Sequence, residues 1–199
     1  IGGIGMSALA KWFRKNGWQV SGSDVAKNEI VRSLAEEGIK IKIGHKRENV
    51  PKSAVLAVYS QAIKAGNPEM RAAGHLGAIV LSYPQVIGAL TAAYESIVVT
   101  GAHGKSTTTA LLSLVLIDAG LDPTVIIGTN MEELGGKNFR AGKSKYLILE
   151  GDEYGRAFLN YSPAFAVITN IDKEHLDTYE DLKEIQSAFL KFLGNAAPG

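Results

Sequence analysis

The segment Gly101-Ala102-His103-Gly104-Lys105-Ser106-Thr107 limits this chain more than any other. An apolar run, Ile97-Val98-Val99-Thr100, leads into it, and Leu111, Leu112, Leu114, Val115, Leu116 and Ile117 follow at helical spacing. A glycine-rich turn between a strand and a helix lets successive backbone N–H groups converge on an anion, where the helix dipole favours negative charge. Lys105 then supplies positive charge to β- and γ-phosphates, and the Ser106 hydroxyl is a ligand for Mg2+. The common eight-residue phosphate loop has glycine five positions before Gly104, where this chain has Val99. The loop is therefore a shorter variant.

The other signals alternate in the way such a loop requires. Met6, Leu9, Trp12 and Phe13 recur at helical spacing up to Gly17, and residues 18–21 read as a strand ending at Gly22-Ser23-Asp24. A helix is predicted over 28–38, then a strand with one wet face over Ile39-Lys40-Ile41-Lys42-Ile43. A buried strand is predicted over 54–59, and a helix opens at Asn67-Pro68-Glu69 with Asn as cap. A short strand follows over 78–81, and the small-residue stretch 88–93 separates this series from a second one. There the leucine-rich helix after the loop is apolar nearly all round and is predicted to be buried. Buried strands are predicted at 125–127, 146–149 and 165–168, with an amphipathic helix over 181–193. Strands alternating with helices predict α/β architecture with parallel sheets covered on both faces. Two tandem domains are expected, 1–90 and 91–199.

Composition closes off other classes. Lys plus Arg number 21 against 20 Asp plus Glu, leaving a net charge of +1 and no basic excess for nucleic acid or an anionic membrane. There is no cysteine, which excludes disulfide scaffolds, thiolate metal sites and thiol catalysis. No apolar run approaches the roughly 18 residues of a membrane span.

Three further constellations carry chemistry. Glu150-Gly151-Asp152-Glu153 follows the strand run Tyr146-Leu147-Ile148-Leu149, where a carboxylate next to a phosphate loop can hold Mg2+. Glu150 is the first residue past the apolar run and the better placed. In Asn170-Ile171-Asp172-Lys173-Glu174-His175, His175 is a ligand candidate for a second divalent ion and Asn170 a polar contact at the same sheet edge. Near the start, Gly3-x-Gly5-x-x-Ala8 fits a diphosphate held on a helix N-terminus, with Asp24 where a ribose-binding acid belongs. NAD and a UDP-sugar satisfy that pattern equally, so an NAD-dependent oxidoreductase is the rival from another class. His45 and Ser60 sit at predicted strand ends, where ligands bind in such sheets, and His75 falls in a polar, exposed helix.

In this order the motifs resemble the Mur ligases of peptidoglycan synthesis. The stretches that carry the resemblance are Ile1-Gly-Gly-Ile-Gly-Met-Ser-Ala-Leu-Ala10, Ser21-Gly-Ser-Asp24, Gly44-His45, Ser60-Gln-Ala-Ile63 and Asn67-Pro-Glu69 in the first half. In the second half they are Gly101-Ala-His-Gly-Lys-Ser-Thr-Thr-Thr109, Glu150-Gly-Asp-Glu153 and Thr169-Asn-Ile-Asp-Lys-Glu-His-Leu-Asp-Thr-Tyr179. The resemblance implies a Rossmann-like domain for a UDP-linked substrate, a P-loop ATPase domain that is incomplete here, and a third, C-terminal domain absent from the sequence. It implies a cytoplasmic enzyme that uses ATP and Mg2+ to join L-alanine to UDP-N-acetylmuramate through an acyl phosphate. Gly2, Gly3, Gly5, Ser7, Asp24, His45 and Ser60 would face the UDP substrate. Gly101, His103, Gly104, Lys105, Ser106, Thr107 and Asn170 would face ATP. Lys105, Glu150 and His175 would be catalytic, with Mg2+ on Ser106, Glu150 and His175. Three positions depart from the family pattern: Ala102 where Thr is usual, Gly151 where Ala is usual, and Tyr154-Gly155 where Ser-Asp is usual. Tyr154 resembles members that recycle a murein tripeptide, which keeps that acceptor open beside L-alanine. The spacing from Phe158 to Tyr179 favours L-alanine. The glycine turn at residues 1–5 has almost no strand ahead of it, and Ala197-Pro198-Gly199 carries no stop signal. A longer parent protein is expected.

Overall fold

The computed structural model describes residues 1–196; Ala197-Pro198-Gly199 lie outside the described residues. The chain divides into two compact units, Ile1–Val86 and Ile87–Gly199.

In the first unit, α1 (Ile4–Lys15) starts with Gly3 as an extended N-cap that makes no side-chain capping bond. The helix buries Ser7, Ala8, Leu9, Ala10 and Lys11. Gly17, at φ +85°, turns the chain, and the Trp18 amide donates to Phe13 O at 3.1 Å. The predicted strand at 18–21 is therefore displaced: Trp18 closes the helix end, its ring 5.4 Å from that of Phe13, and β1 runs Ser21–Asp24. A local aromatic contact outcompetes β-propensity there. Asn28 caps α2 (Glu29–Glu36), its side chain accepting from the Val31 amide at 2.8 Å. Leu34, Ile39 and Ala10 form the core of this half. β2 (Lys40–Ile43) pairs in parallel with β1. Asn67 caps α3 (Pro68–His75), and β3 (Leu56–Tyr59) pairs in parallel with β4 (Ile79–Ser82). β3 is half-buried, not buried as its composition predicts, and Val55 before it is exposed. A two-stranded ribbon offers too few neighbours to cover both faces. Among the described residues no strand joins the two ribbons.

The stretch predicted to separate the two series is helical: α4 (Tyr83–Ala93) runs through it and across the division between the units. Its small residues permit close approach, since a Cβ on Gly88 would lie 2.2 Å from Asn160 O.

The second unit is built on a five-stranded sheet. Its strands are β5 (Glu95–Thr100), β6 (Thr124–Met131), β7 (Lys137–Arg140), β8 (Tyr146–Glu150) and β9 (Phe165–Ile168), in the order β7-β6-β8-β5-β9. All pairings are parallel except β6 with β7. No apolar run in the sequence signals β7; it is pinned by Arg140, which donates to Asp122 at 2.6 Å and to Pro123 O at 2.7 Å. α5 (Lys105–Asp118) is not buried all round: Leu111 and Val115 are exposed, and the fully buried positions are Thr109 and Ser113. Their hydroxyls bond to Lys105 O and Thr109 O within the helix, which makes small polar side chains acceptable against the sheet. β9 is an edge strand with Phe165 exposed, again less buried than its sequence predicts. Asp181 caps α6 (Leu182–Gly194), whose Phe189 and Phe192 close on Phe158 with ring centroids 5.1 Å and 5.0 Å apart.

Candidate active site

The strand register assembles the site. Val99 stands opposite Glu150, and Thr100 opposite Ile168. The residues just past β5, β8 and β9 therefore emerge side by side at the carboxyl edge of one sheet, where open α/β sheets bind ligands. The β5 loop is held there from β9. Gly101 adopts φ +132°, and a Cβ on it would lie 2.3 Å from Thr169 Oγ1. The His103 amide donates to Asn170 Oδ1 at 2.9 Å, and His103 O accepts from Thr169 Oγ1 at 2.6 Å and Asn170 Nδ2 at 2.9 Å. Asn170 thus braces the loop backbone with its side chain. Gly104, at φ +79°, is the N-cap of α5 without a side-chain cap, and Thr107 is exposed on the first turn. The His103 ring is exposed, with Nδ1 3.3 Å from Glu174 Oε1.

Lys105 folds back over the loop. Its ammonium donates to Gly101 O at 2.6 Å, Ala102 O at 3.2 Å and Glu153 Oε1 at 3.0 Å. Ser106 Oγ donates to Glu150 Oε1 at 3.0 Å, and Glu150 Oε2 accepts from the Gly128 amide at 2.9 Å. A hydroxyl and a carboxylate facing each other are hard oxygen donors of the type Mg2+ takes, so these residues fit that ion. His175, at φ +54°, carries a conformation that is costly for a residue with a Cβ. Its Nε2 lies 3.5 Å from Glu153 Oε1, and the Tyr154 ring sits edge-on at 5.3 Å. Asp152, Glu153 and His175 offer ligand atoms within 4.8 Å of one another, a donor set able to take a second cation. Burial pushes the Glu153 carboxyl up despite the opposing pull of Lys105. Burial also pushes the Tyr179 hydroxyl up to about 12; that hydroxyl donates to Glu153 O at 2.7 Å.

The structure thus brings Gly101, His103, Lys105, Ser106, Glu150, Asn170 and His175 to one edge. Reading the sequence assigned no role to Glu153, although it stands three residues after Glu150 in the same acidic segment; its contact with Lys105 spans 48 positions.

In the first unit the expected substrate residues divide. Gly3 has open space around it, and Gly5 is tight, with a Cβ position 2.9 Å from the Tyr83 hydroxyl. Ser7 does not face outward: it is 1% exposed, and its hydroxyl donates to Ile4 O at 2.8 Å. Asp24 is half-buried beside the glycine turn. It accepts from the Gly2 amide at 2.7 Å and the Ala26 amide at 3.2 Å, so it locks the glycine turn. Burial opposes its ionisation, while those backbone bonds favour it. His45 Nδ1 lies 3.0 Å from Ser23 Oγ and 3.5 Å from Glu69 Oε2. Glu69 collects Ser23 at 2.5 Å, Asn49 at 2.6 Å and the Lys46 amide at 3.2 Å. The sequence marks Glu69 as part of a helix start and of the family resemblance; its place as the hub of this cluster depends on two distant segments, Ser23 and residues 45–49. Ser60 is half-buried after β3, its carbonyl accepting from the Ile63 amide at 3.0 Å.

Comparison with known proteins gives the same order of parts. Residues 1–95 match the Mur ligase family catalytic domain, and residues 99–199 match the Mur ligase middle domain. The UDP-N-acetylmuramate–L-alanine ligase of Aquifex aeolicus is 44% identical over 198 residues, covering 100% of this chain and 43% of that protein. The ligase of the same name from Acetivibrio thermocellus is 43% identical, covering 97% of this chain and 41% of that protein. Among solved structures, UDP-N-acetylmuramate-alanine ligase MurC from Thermotoga maritima has a TM-score of 0.86 at 32% identity, covering 98% of this chain and 46% of that one. The UDP-N-acetylmuramate:L-alanyl-gamma-D-glutamyl-meso-diaminopimelate ligase from Neisseria meningitides has a TM-score of 0.89 at 28% identity, covering 100% and 67%. The chain therefore spans less than half the length of the curated relatives it matches. A short phosphate loop braced by β9 and faced by carboxylates from β8, matched along both halves of the chain, leaves one conclusion: this chain belongs to the Mur ligase family.

Proposed function

We propose that this chain carries the sugar-nucleotide and ATP-binding parts of a cytoplasmic ligase that joins L-alanine to UDP-N-acetylmuramate. In this reading residues 1–90 form a Rossmann-like domain for the UDP substrate and 91–199 a P-loop ATPase domain. The observation that carries it is the meeting of Lys105 and Ser106 with Glu150 and His175 at one sheet edge. The identities of 44% and 43% to ligases of that name support the substrates.

The chemistry asks little covalent work of the protein. A carboxylate oxygen of the UDP substrate attacks the γ-phosphorus of ATP, and ADP leaves. The acyl phosphate formed is attacked by the amine of L-alanine; the C–O bond to phosphate breaks, an amide forms, and the amine loses a proton. Attacker and target are both anionic in the first step, so electrostatic stabilisation and alignment dominate its barrier. Amides of the loop at the start of α5 would bind the polyphosphate, and Lys105 would balance charge on its terminal group. Ser106 and Glu150 would hold Mg2+, which when bound withdraws charge from the phosphoryl oxygens. His175 would hold a second such ion. Gly3, with open space around it, would admit the UDP diphosphate to the start of α1, and Gly5 would let Tyr83 pack close beside it.

In the intact gene product, ADP formation should require both UDP-N-acetylmuramate and L-alanine. Lys105→Ala should lower turnover on the order of 10²-fold or more while affinity for the UDP substrate stays within twofold, roughly. Unchanged turnover rejects the role given to Lys105. A second reading, a ligase for a murein tripeptide, is favoured by Tyr154 against His175 and by the TM-score of 0.89. An acceptor screen separates the two: amide formation with tripeptide but not L-alanine establishes the second.

A further inference from the structure

Glu153 carries a carboxylate into a place that does not favour one. It is 3% exposed, and its Oε2 has no hydrogen-bond partner among the described residues. Keeping a buried, half-satisfied carboxylate is expensive unless a positive partner depends on it. The partner is Lys105. Two loop carbonyls and Glu153 Oε1 surround its ammonium at 2.6, 3.2 and 3.0 Å, and three acceptors are all an ammonium can serve. A phosphate oxygen reaches Lys105 only by displacing one of them. The tether is itself anchored: Glu153 O accepts from the Tyr179 hydroxyl at 2.7 Å and from the Arg156 amide at 3.0 Å.

The geometry points to Glu153 as the positioning residue of Lys105: its carboxylate holds the ammonium folded onto the loop, and polyphosphate binds in competition with that hold. The inference rests on the reading of Lys105 as a phosphate ligand. It predicts a gain where a merely structural carboxylate predicts a loss.

The probe is sodium tripolyphosphate without divalent cation, titrated calorimetrically into the intact gene product. Glu153→Gln keeps the shape and an acceptor oxygen but removes the negative charge that holds the lysine, and should bind roughly three- to tenfold more tightly than wild type. Asp152→Asn removes an equal charge from an exposed neighbour with no bond to Lys105, and should change binding by a clearly smaller factor. Equal or weaker binding by Glu153→Gln overturns the tether, and so does an equal gain in Asp152→Asn. If wild type does not bind, or Lys105→Ala binds as well, the reading of Lys105 falls and the tether with it. A second measurement needs no ligand: acylation of amines by an N-hydroxysuccinimide ester, resolved by residue with mass spectrometry. Lys105 should label about fivefold faster in Glu153→Gln, relative to Lys143 and Lys183, if the carboxylate is what withholds it. A uniform rise across all lysines would mean that Glu153 only supports the fold, and overturns the proposal.

Discussion

Gly101 and Gly151 face similar crowding but differ in backbone. Gly101 has φ +132°, and an added Cβ would strike Thr169 Oγ1 at 2.3 Å and Asn170 O at 2.7 Å. Gly101→Ala should therefore cost about 2 kcal/mol or more, read as a lowered denaturant midpoint, because both backbone strain and a clash with fixed atoms oppose it. Gly151 has no such φ, but its added Cβ would meet Val98 Cγ1 at 2.7 Å, a stiff β-branched side chain wholly buried in β5. Gly151→Ala should cost roughly 1 to 2 kcal/mol, less than Gly101→Ala because crowding opposes it and backbone strain does not. Tyr179 gives a prediction in pH. Its hydroxyl, ordinarily at 10.0, is raised by burial to about 12, so folding favours the neutral form. The stability it contributes is complete below its unfolded value and is lost as pH climbs toward about 12. Denaturation curves measured across that window should slope downward in wild type, and Tyr179→Phe should lack that part of the slope.

Helix starts are the elements most legible from sequence, because capping is decided within four residues. Asn28, Asn67 and Asp181 each accept a backbone N–H from the first turn, in every case with an acidic residue in that turn: Glu29, Glu69 and Glu184. Asp181→Ala should cost about 1 kcal/mol, with Asp181→Asn retaining most of it, as thermal denaturation can check. Strands are less legible because burial depends on partners. The apolar runs at 54–59 and 165–168 have the same character as β8, yet β3 lies in a ribbon and β9 at an edge, while Leu147, Ile148 and Leu149 are wholly buried. α5 misleads for the opposite reason. Its leucines suggest burial on every side, but the sheet covers one face, and Thr109 and Ser113 occupy it.

Across the whole molecule, the two units should respond to different ligands. In the intact gene product, MgATP should slow amide hydrogen exchange at residues 101–106, and UDP-N-acetylmuramate should slow it at residues 2–6. Protection of the first glycine turn by NAD in place of the UDP substrate would return the oxidoreductase reading. What the sequence determined by itself was local or periodic: alternating strands and helices, the caps, and a strand–glycine loop–helix able to hold phosphate. Turn chemistry and side-chain period act over a few residues, so no partner is needed to read them. Tertiary structure alone decided which polar groups meet. The opposition of Val99 to Glu150 and of Thr100 to Ile168 sets Lys105 on Glu153, and distant segments gather around Glu69. The same packing sets the Ser7 hydroxyl on Ile4 O and the Asp24 carboxylate on the distant Gly2 amide. A carboxylate's letter in the sequence is the same whether it meets a lysine, an amide or water; only the packing of remote strands and helices selects among them.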